Sequence, residues 1–128
     1  PDDVRVTFSV PCCALEDGER ARDIARGHLA FYLGSMGTYY RDSLARQGYE
    51  DTANEVAAKW ASGEREEAKS AISDNLLDKL GAVGTPEHAR TQLELFERME
   101  GIDAVSVSFP RGADLEDINK TLAELAPD

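Results

Sequence analysis

Long apolar runs are missing from this chain, and lysine, cysteine and tryptophan are scarce. No stretch approaches the roughly 18 apolar residues of a membrane span, and residues 1 to 20 lack a basic segment followed by an apolar one. A membrane span and a secretory leader are therefore not expected, and the reading is a cytoplasmic protein. The start at Pro1, without a methionine, fits a processed product or a piece of something longer. Only four bases are lysines (Lys59, Lys69, Lys79 and Lys120), and fourteen bases stand against 25 acids, for a net charge of −11. That field, spread along the whole chain, argues against nucleic acid and anionic membrane as partners. It resembles the surfaces of proteins from salt-loving organisms; an acidic protein of ordinary salt is the alternative. The two cysteines, Cys12 and Cys13, are adjacent, so a bridge between them would distort the peptide. They also fall short of a structural zinc set, which leaves buried, reduced thiols as the expectation. Internal repeats and low-complexity linkers are absent.

What is present suffices for one domain: 128 residues, 41% of them hydrophobic, can enclose a core. "VRVTFSV", residues 4 to 10, alternates with period two and predicts a strand. Val4, Val6, Phe8 and Val10 form one face, and Arg5, Thr7 and Ser9 the other. "DAVSVSF", residues 103 to 109, repeats the design, with the strand placed at 104–109. Between the strands the apolar spacing predicts a helical excursion over 16–80. Its first helix carries Ala21, Ile24, Ala25, His28, Leu29 and Tyr32 on one stripe and stops near Gly34. Short helices follow, from about Thr38 to Arg46 and up to Gly63, and then one helix from Glu64 to about Leu80. "GTPE", residues 84 to 87, is a helix start with Thr85 as cap and Pro86 in the first turn, opening a helix over 86–100. A last helix over 114–125 is expected to turn Leu115, Ile118, Leu122 and Leu125 inward.

Two strands joined through helices should be parallel, and a parallel pair has two bare edges. The pattern therefore predicts part of a larger sheet. An apolar face toward helices, with a small polar face opposite, suits a wall of a closed (β/α) barrel near its ligand-binding end.

"HLAFYLGSMGTYY", "GYED", "GTPE" and "GIDAVSVSF" occur in that order, and in this order the chain resembles the C-terminal part of the luciferase-like monooxygenase superfamily. The branch it resembles is the deazaflavin-dependent (coenzyme F-420) oxidoreductases, which include methylenetetrahydromethanopterin reductase. The resemblance covers nearly all of residues 4 to 125. It implies a helix-rich α/β chain: a single segment, 1–128, forming the C-terminal portion of a (β/α)8 TIM barrel with two parallel strands and about six helices. The strands over 4–10 and 104–109 would be the seventh and eighth of the barrel. It also implies hydride transfer between coenzyme F-420 and a small or pterin-like substrate, with FMN as the alternative cofactor. The early strand that presses on the deazaflavin in this family has no counterpart here, so the segment alone is expected to be inactive. The remainder of the barrel, or a second copy, would be its partner. A non-catalytic helical assembly module is the reading of another class.

The candidate cofactor contacts are Ser9, Cys12, Gly34, Ser35, Met36, Gly37, Tyr39 and Arg111; no catalytic residue and no metal ligand is assigned. Gly34 and Gly37 would let the backbone approach another surface, and Ser35 with the free N–H groups of the next helix could hold an anion. A plain helix-breaking turn is the preferred reading of "GSMG", since no lysine accompanies it as in a P-loop. Pro11, Cys12 and Cys13, then Pro110, Arg111 and Gly112, would lie on the ligand-binding rim. Arg111 could hold phosphate or carboxylate bidentately; a surface pair with Asp114 or Glu116 is the competing role. His28, Tyr32 and the neighbouring tyrosines are expected to pack, His28 donating one hydrogen bond.

Overall fold

A computed structural model describes residues 7–35, 39–99 and 104–126. Strand β1 runs over Thr7–Ala14, and five helices follow it: α1 (Gly18–Ser35), α2 (Tyr39–Arg46), α3 (Glu50–Ala61), α4 (Arg65–Ser70) and α5 (Asp74–Leu80). Strand β2 (Ala82–Gly84), helix α6 (Pro86–Glu97), strand β3 (Ala104–Ser108) and helix α7 (Leu115–Leu125) complete the chain. All strand pairs are parallel, in the order β2-β1-β3. The fold is a helix-rich α/β segment, as the resemblance implied, with three strands among the described residues where two were expected.

The third strand explains why the sheet holds together. β1 pairs with β3 over Thr7 to Pro11, Ser9 opposite Ser106 and Val10 opposite Val107, then with β2 over Cys12 to Ala14. Pairing changes edge after Pro11, the residue with no N–H to give to a ladder. β1 thus runs on past the alternating pattern to Ala14; residues 4 to 6 of the expected strand lie outside the described residues. Pro11, Cys12 and Cys13, expected at the rim, are strand, as is Ala14, and Cys12, Cys13 and Ala14 are fully buried.

Successive residues of β1 enter two cores. Val10, Cys12 and Ala14 face α6, packing with Ala89, Leu93 and Phe96. Cys13 and the following Leu15 face the excursion, in a larger cluster with Ala21, Leu29 and Leu33 of α1, Val56 of α3 and Leu76 of α5. The sheet is therefore covered by helices on both sides, α6 on one and the excursion on the other.

Local chemistry sets the helix ends. Thr85 Oγ1 accepts from the His88 N–H at 3.3 Å, with Pro86 in the first turn, as "GTPE" predicts. The single helix expected from Glu64 to Leu80 is two, because Ser73 caps a new start by accepting from the Leu76 N–H at 3.1 Å. Met99, just beyond the end of α6, is 47% exposed. α7 departs from expectation in part: Leu125 packs against the α6 core and Ile118 is half-buried, but Leu115 and Leu122 are 72% and 49% exposed, and Asp117 and Thr121 are buried. Two polar contacts decide this. Thr121 Oγ1 accepts from the buried Ala14 N–H at 3.0 Å and donates to the Asp117 carbonyl at 2.8 Å. Arg20 of α1 grips the Asp117 carboxylate at 2.7 and 2.9 Å, while Asp114 and Asp117 form a capping box. A strand N–H without a ladder partner needs an acceptor, and Thr121 supplies it.

Candidate functional site

The small-residue face of the sheet leaves a cavity of about 490 Å3 under α1 and α5. Its floor is Ser9 and Pro11 of β1, with Ser108 at the end of β3 and Phe109 just beyond; Gly81 and Val83 close one side. Small side chains there are what keep the space open. Gly81 is required for a different reason: a Cβ on it would lie 2.6 Å from the Pro11 carbonyl oxygen. The roof is one stripe of α1, carrying Ala25, His28, Leu29 and Tyr32, joined by Leu77 and Leu80 of α5.

His28 and Tyr32 are the polar members of that α1 stripe, and Gln47 also lines the cavity. The His28 Nδ1 accepts the Arg111 backbone N–H at 2.7 Å, and its ring lies 4.6 Å from that of Tyr32, tilted by 46°. It therefore accepts the bond it was expected to donate. Burial, then the charge of Arg111, holds its pKa below the ordinary histidine value. A neutral ring accepting at Nδ1 carries its proton on Nε2, so His28 can offer a hydrogen bond but is not an acid at neutral pH.

The candidate contacts do not converge. Ser9 lines the cavity. Cys12 sits on the opposite face of β1, where its thiol donates to the Val10 carbonyl at 3.3 Å. Burial, with Cys13 beside it, pushes it up to about 12; burial and then Asp117 push Cys13 up to about 11. Neither thiol is a nucleophile or a ligand contact in this setting. Gly34 belongs to α1 and faces α3: a Cβ there would lie 2.5 to 2.7 Å from three atoms of Trp60. Ser35 accepts from the Trp60 indole N–H at 3.0 Å, so its hydroxyl is engaged. Met36 and Gly37 lie outside the described residues, and Tyr39 opens α2. Arg111 pairs with neither Asp114 nor Glu116; its guanidinium carbon lies 3.9 Å from the centre of the Phe31 ring.

His28 and Tyr32, which the helical spacing assigned to packing, are thus cavity-lining, and α5, Gly81 and Val83 were not anticipated. The signal for the latter was the sequence "GAVG": a short apolar run between glycines is a form that a buried strand takes. No group of three or more histidine, cysteine or acidic side chains among the described residues is placed to hold a metal. No helix among them is long and apolar enough to cross a membrane.

A family profile for luciferase-like monooxygenases matches residues 1–102. The chain is also similar to a protein of Mycobacterium tuberculosis whose name assigns it, provisionally, to the coenzyme F420-dependent oxidoreductases. The two are 36% identical over 100 aligned positions, an alignment that covers 75% of this chain and 29% of that relative. The chain spans less than a third of the relative's length. With the profile covering most of the sequence, and a parallel sheet flanked by helices as a luciferase-like barrel segment requires, this chain belongs to the luciferase-like monooxygenase family.

Proposed function

We propose that this chain is the closing segment of a coenzyme F420-dependent oxidoreductase and forms one wall of its reaction cavity. The observation that carries the reading is the 490 Å3 cavity on the small-residue face of β1 and β3, beside the C-terminal end of β3. In parallel α/β barrels ligands lie at that end of the strands. The M. tuberculosis relative's name supplies the coenzyme.

The lining suits a flat heteroaromatic ring. Ser9, Pro11 and Ser108 leave room on the floor, Tyr32 and Phe109 offer aromatic edges or faces, and His28 offers a neutral N–H. Bound there, the deazaflavin would supply hydride chemistry, and FMN is the family-level alternative cofactor. The protein's part is binding, orientation and exclusion of water. His28, locked by the Arg111 N–H, presents a donor whose direction is fixed. Leu29, Leu77 and Leu80 keep the roof dry. The substrate is a small or pterin-like molecule, and the cavity is completed by the rest of a barrel that pairs with the free edge of β3.

The test is fluorescence titration of the protein expressed from the complete reading frame with F420 and, separately, FMN. Saturable F420 binding, weakened by Ser9→Trp in the cavity floor, is expected. Binding of FMN alone would move the assignment to the flavin branch, and binding of neither would reject it.

A further inference from the structure

We propose that Arg65 and Arg111 form an oxoanion-binding cleft, separate from the larger cavity, that takes the phosphate or carboxylate arm of an organic ligand. The cleft, of about 360 Å3, lies on the neighbouring stripe of α1, between Phe31 and Ser35 on one side and Trp60 on the other. Arg65, the first residue of α4, has its guanidinium carbon 4.6 Å from the centre of the Trp60 ring. Arg111, in the turn after β3, stacks on Phe31 at 3.9 Å. Both side chains line the same cleft.

Three features make this more than two surface cations. First, the chain carries 25 acids, and Arg20, Arg22, Arg26 and Arg90 each pair with a carboxylate. Among the described residues Arg65 and Arg111, like Arg41, Arg46 and Arg98, have no carboxylate within ion-pair distance, but only these two line one cleft. Two like charges lining one cleft repel, and an anion between them removes the repulsion. Second, stacking on an aromatic face holds the guanidinium plane and leaves its edge N–H donors free for a bidentate oxoanion. Third, the platforms are themselves fixed. The Trp60 indole N–H is committed to Ser35 Oγ, Gly34 permits the indole to lie against α1, and the Phe31 and Trp60 rings meet edge to face at 6.2 Å.

The cleft adjoins the larger cavity through the Arg111 backbone, which holds His28. An anionic arm bound at Arg111 therefore sits next to the group that presents the roof donor. The anion site itself does not depend on the identity of the coenzyme.

Trp60 is the one tryptophan of the chain, so its emission reports directly on Arg65. Titrations of the 128-residue chain with inorganic phosphate and with glutarate, at constant ionic strength made up with chloride, should each be followed by fluorescence. A saturable change with phosphate, with glutarate or with both is expected, the pattern distinguishing a phosphate-bearing from a carboxylate-bearing ligand. R65Q and R111Q should each weaken binding by about tenfold or more, the loss of one charge-assisted contact. R65K should recover part of it. R111Q keeps Trp60 and Arg65 in place and so separates loss of binding from loss of the reporter. Emission that responds no more to either anion than to chloride, or a saturable change that survives in the R65Q/R111Q double variant, would overturn the site. With no deazaflavin in the titration, that failure leaves the coenzyme assignment standing, and the reverse holds too.

Discussion

His28 shows how a single side chain can change role between sequence and fold. On the helical stripe it is one more residue facing inward; in the structure it joins the helical roof to the turn after β3 through the Arg111 N–H. Since burial and Arg111 both hold it neutral, its titration should lie below about 6.5. Arg111→Gln, which removes the charge and keeps the backbone N–H, should raise it toward that value; following both histidine ring protons by NMR across pH checks this. An unchanged His28 midpoint in the variant would refute the coupling. Cys12 and Cys13 make the opposite case, reactive groups disarmed by location. Neither should react with a disulfide reagent at about pH 8 in the native chain, and both should react once it is unfolded.

At the scale of elements, the excursion depends on one close contact. α1 can lie on α3 only because residue 34 has no side chain, and the indole of Trp60 fills the space. Gly34→Ala should overpack that contact and cost about 1–3 kcal/mol, measured by urea unfolding, with a shift in Trp60 emission. If stability is unchanged, the contact is not tight. The break between α4 and α5 is a cap effect, and Ser73→Ala should cost about 1 kcal/mol by leaving the Leu76 N–H without its acceptor. These two residues also indicate what was legible. "GSMG" marked a place where backbone approaches a surface, and the surface turned out to be Trp60, 26 residues away in sequence. The Ser73 cap was readable in "SDNLLDKL" but was hidden by a helical pattern that continues on both sides of it.

Across the whole molecule the acidic balance and the open sheet dominate. Arg26 holds Asp74, and Arg20 holds Asp117, below the usual carboxylate range. Each therefore contributes stability that is present above about pH 4 and is lost as pH falls through the lower folded value. His28, also lowered, adds stability that is lost on acidification from about pH 6.5 downward. All three act in the same direction, against the relief of self-repulsion as the acidic surface is neutralised, so the melting temperature should fall below the pI of about 4.6, and Asp117→Asn should flatten that fall. The net charge of −11 should make the chain more stable from low to molar potassium chloride, as screening relieves self-repulsion; a steady fall would reject the salt-adapted reading. Val107, Leu115 and Leu122 are exposed, and with the edge of β3 that no described strand covers they give an isolated chain a surface for self-association. Light scattering should find dimers or larger species, and a monomer with cooperative unfolding would show that the edge is tolerated.

The sequence alone determined what short-range periodicity and composition can carry. It set the strand through residues 7 to 10 and the one ending near Phe109, the stripe of α1, the Thr85 start of α6, the parallel pairing implied by helical connections, and the charge. These depend on residues within a few positions of one another or on sums over the chain. Tertiary structure alone decided what depends on meetings between distant residues. It set the short strand β2, whose three residues are too few for a periodic signal. It turned α7 so that Thr121 meets the Ala14 N–H 107 residues away, and sent Cys12 to the face opposite the cavity. It also brought Arg65 beside Arg111 across a cleft that neither local sequence contains.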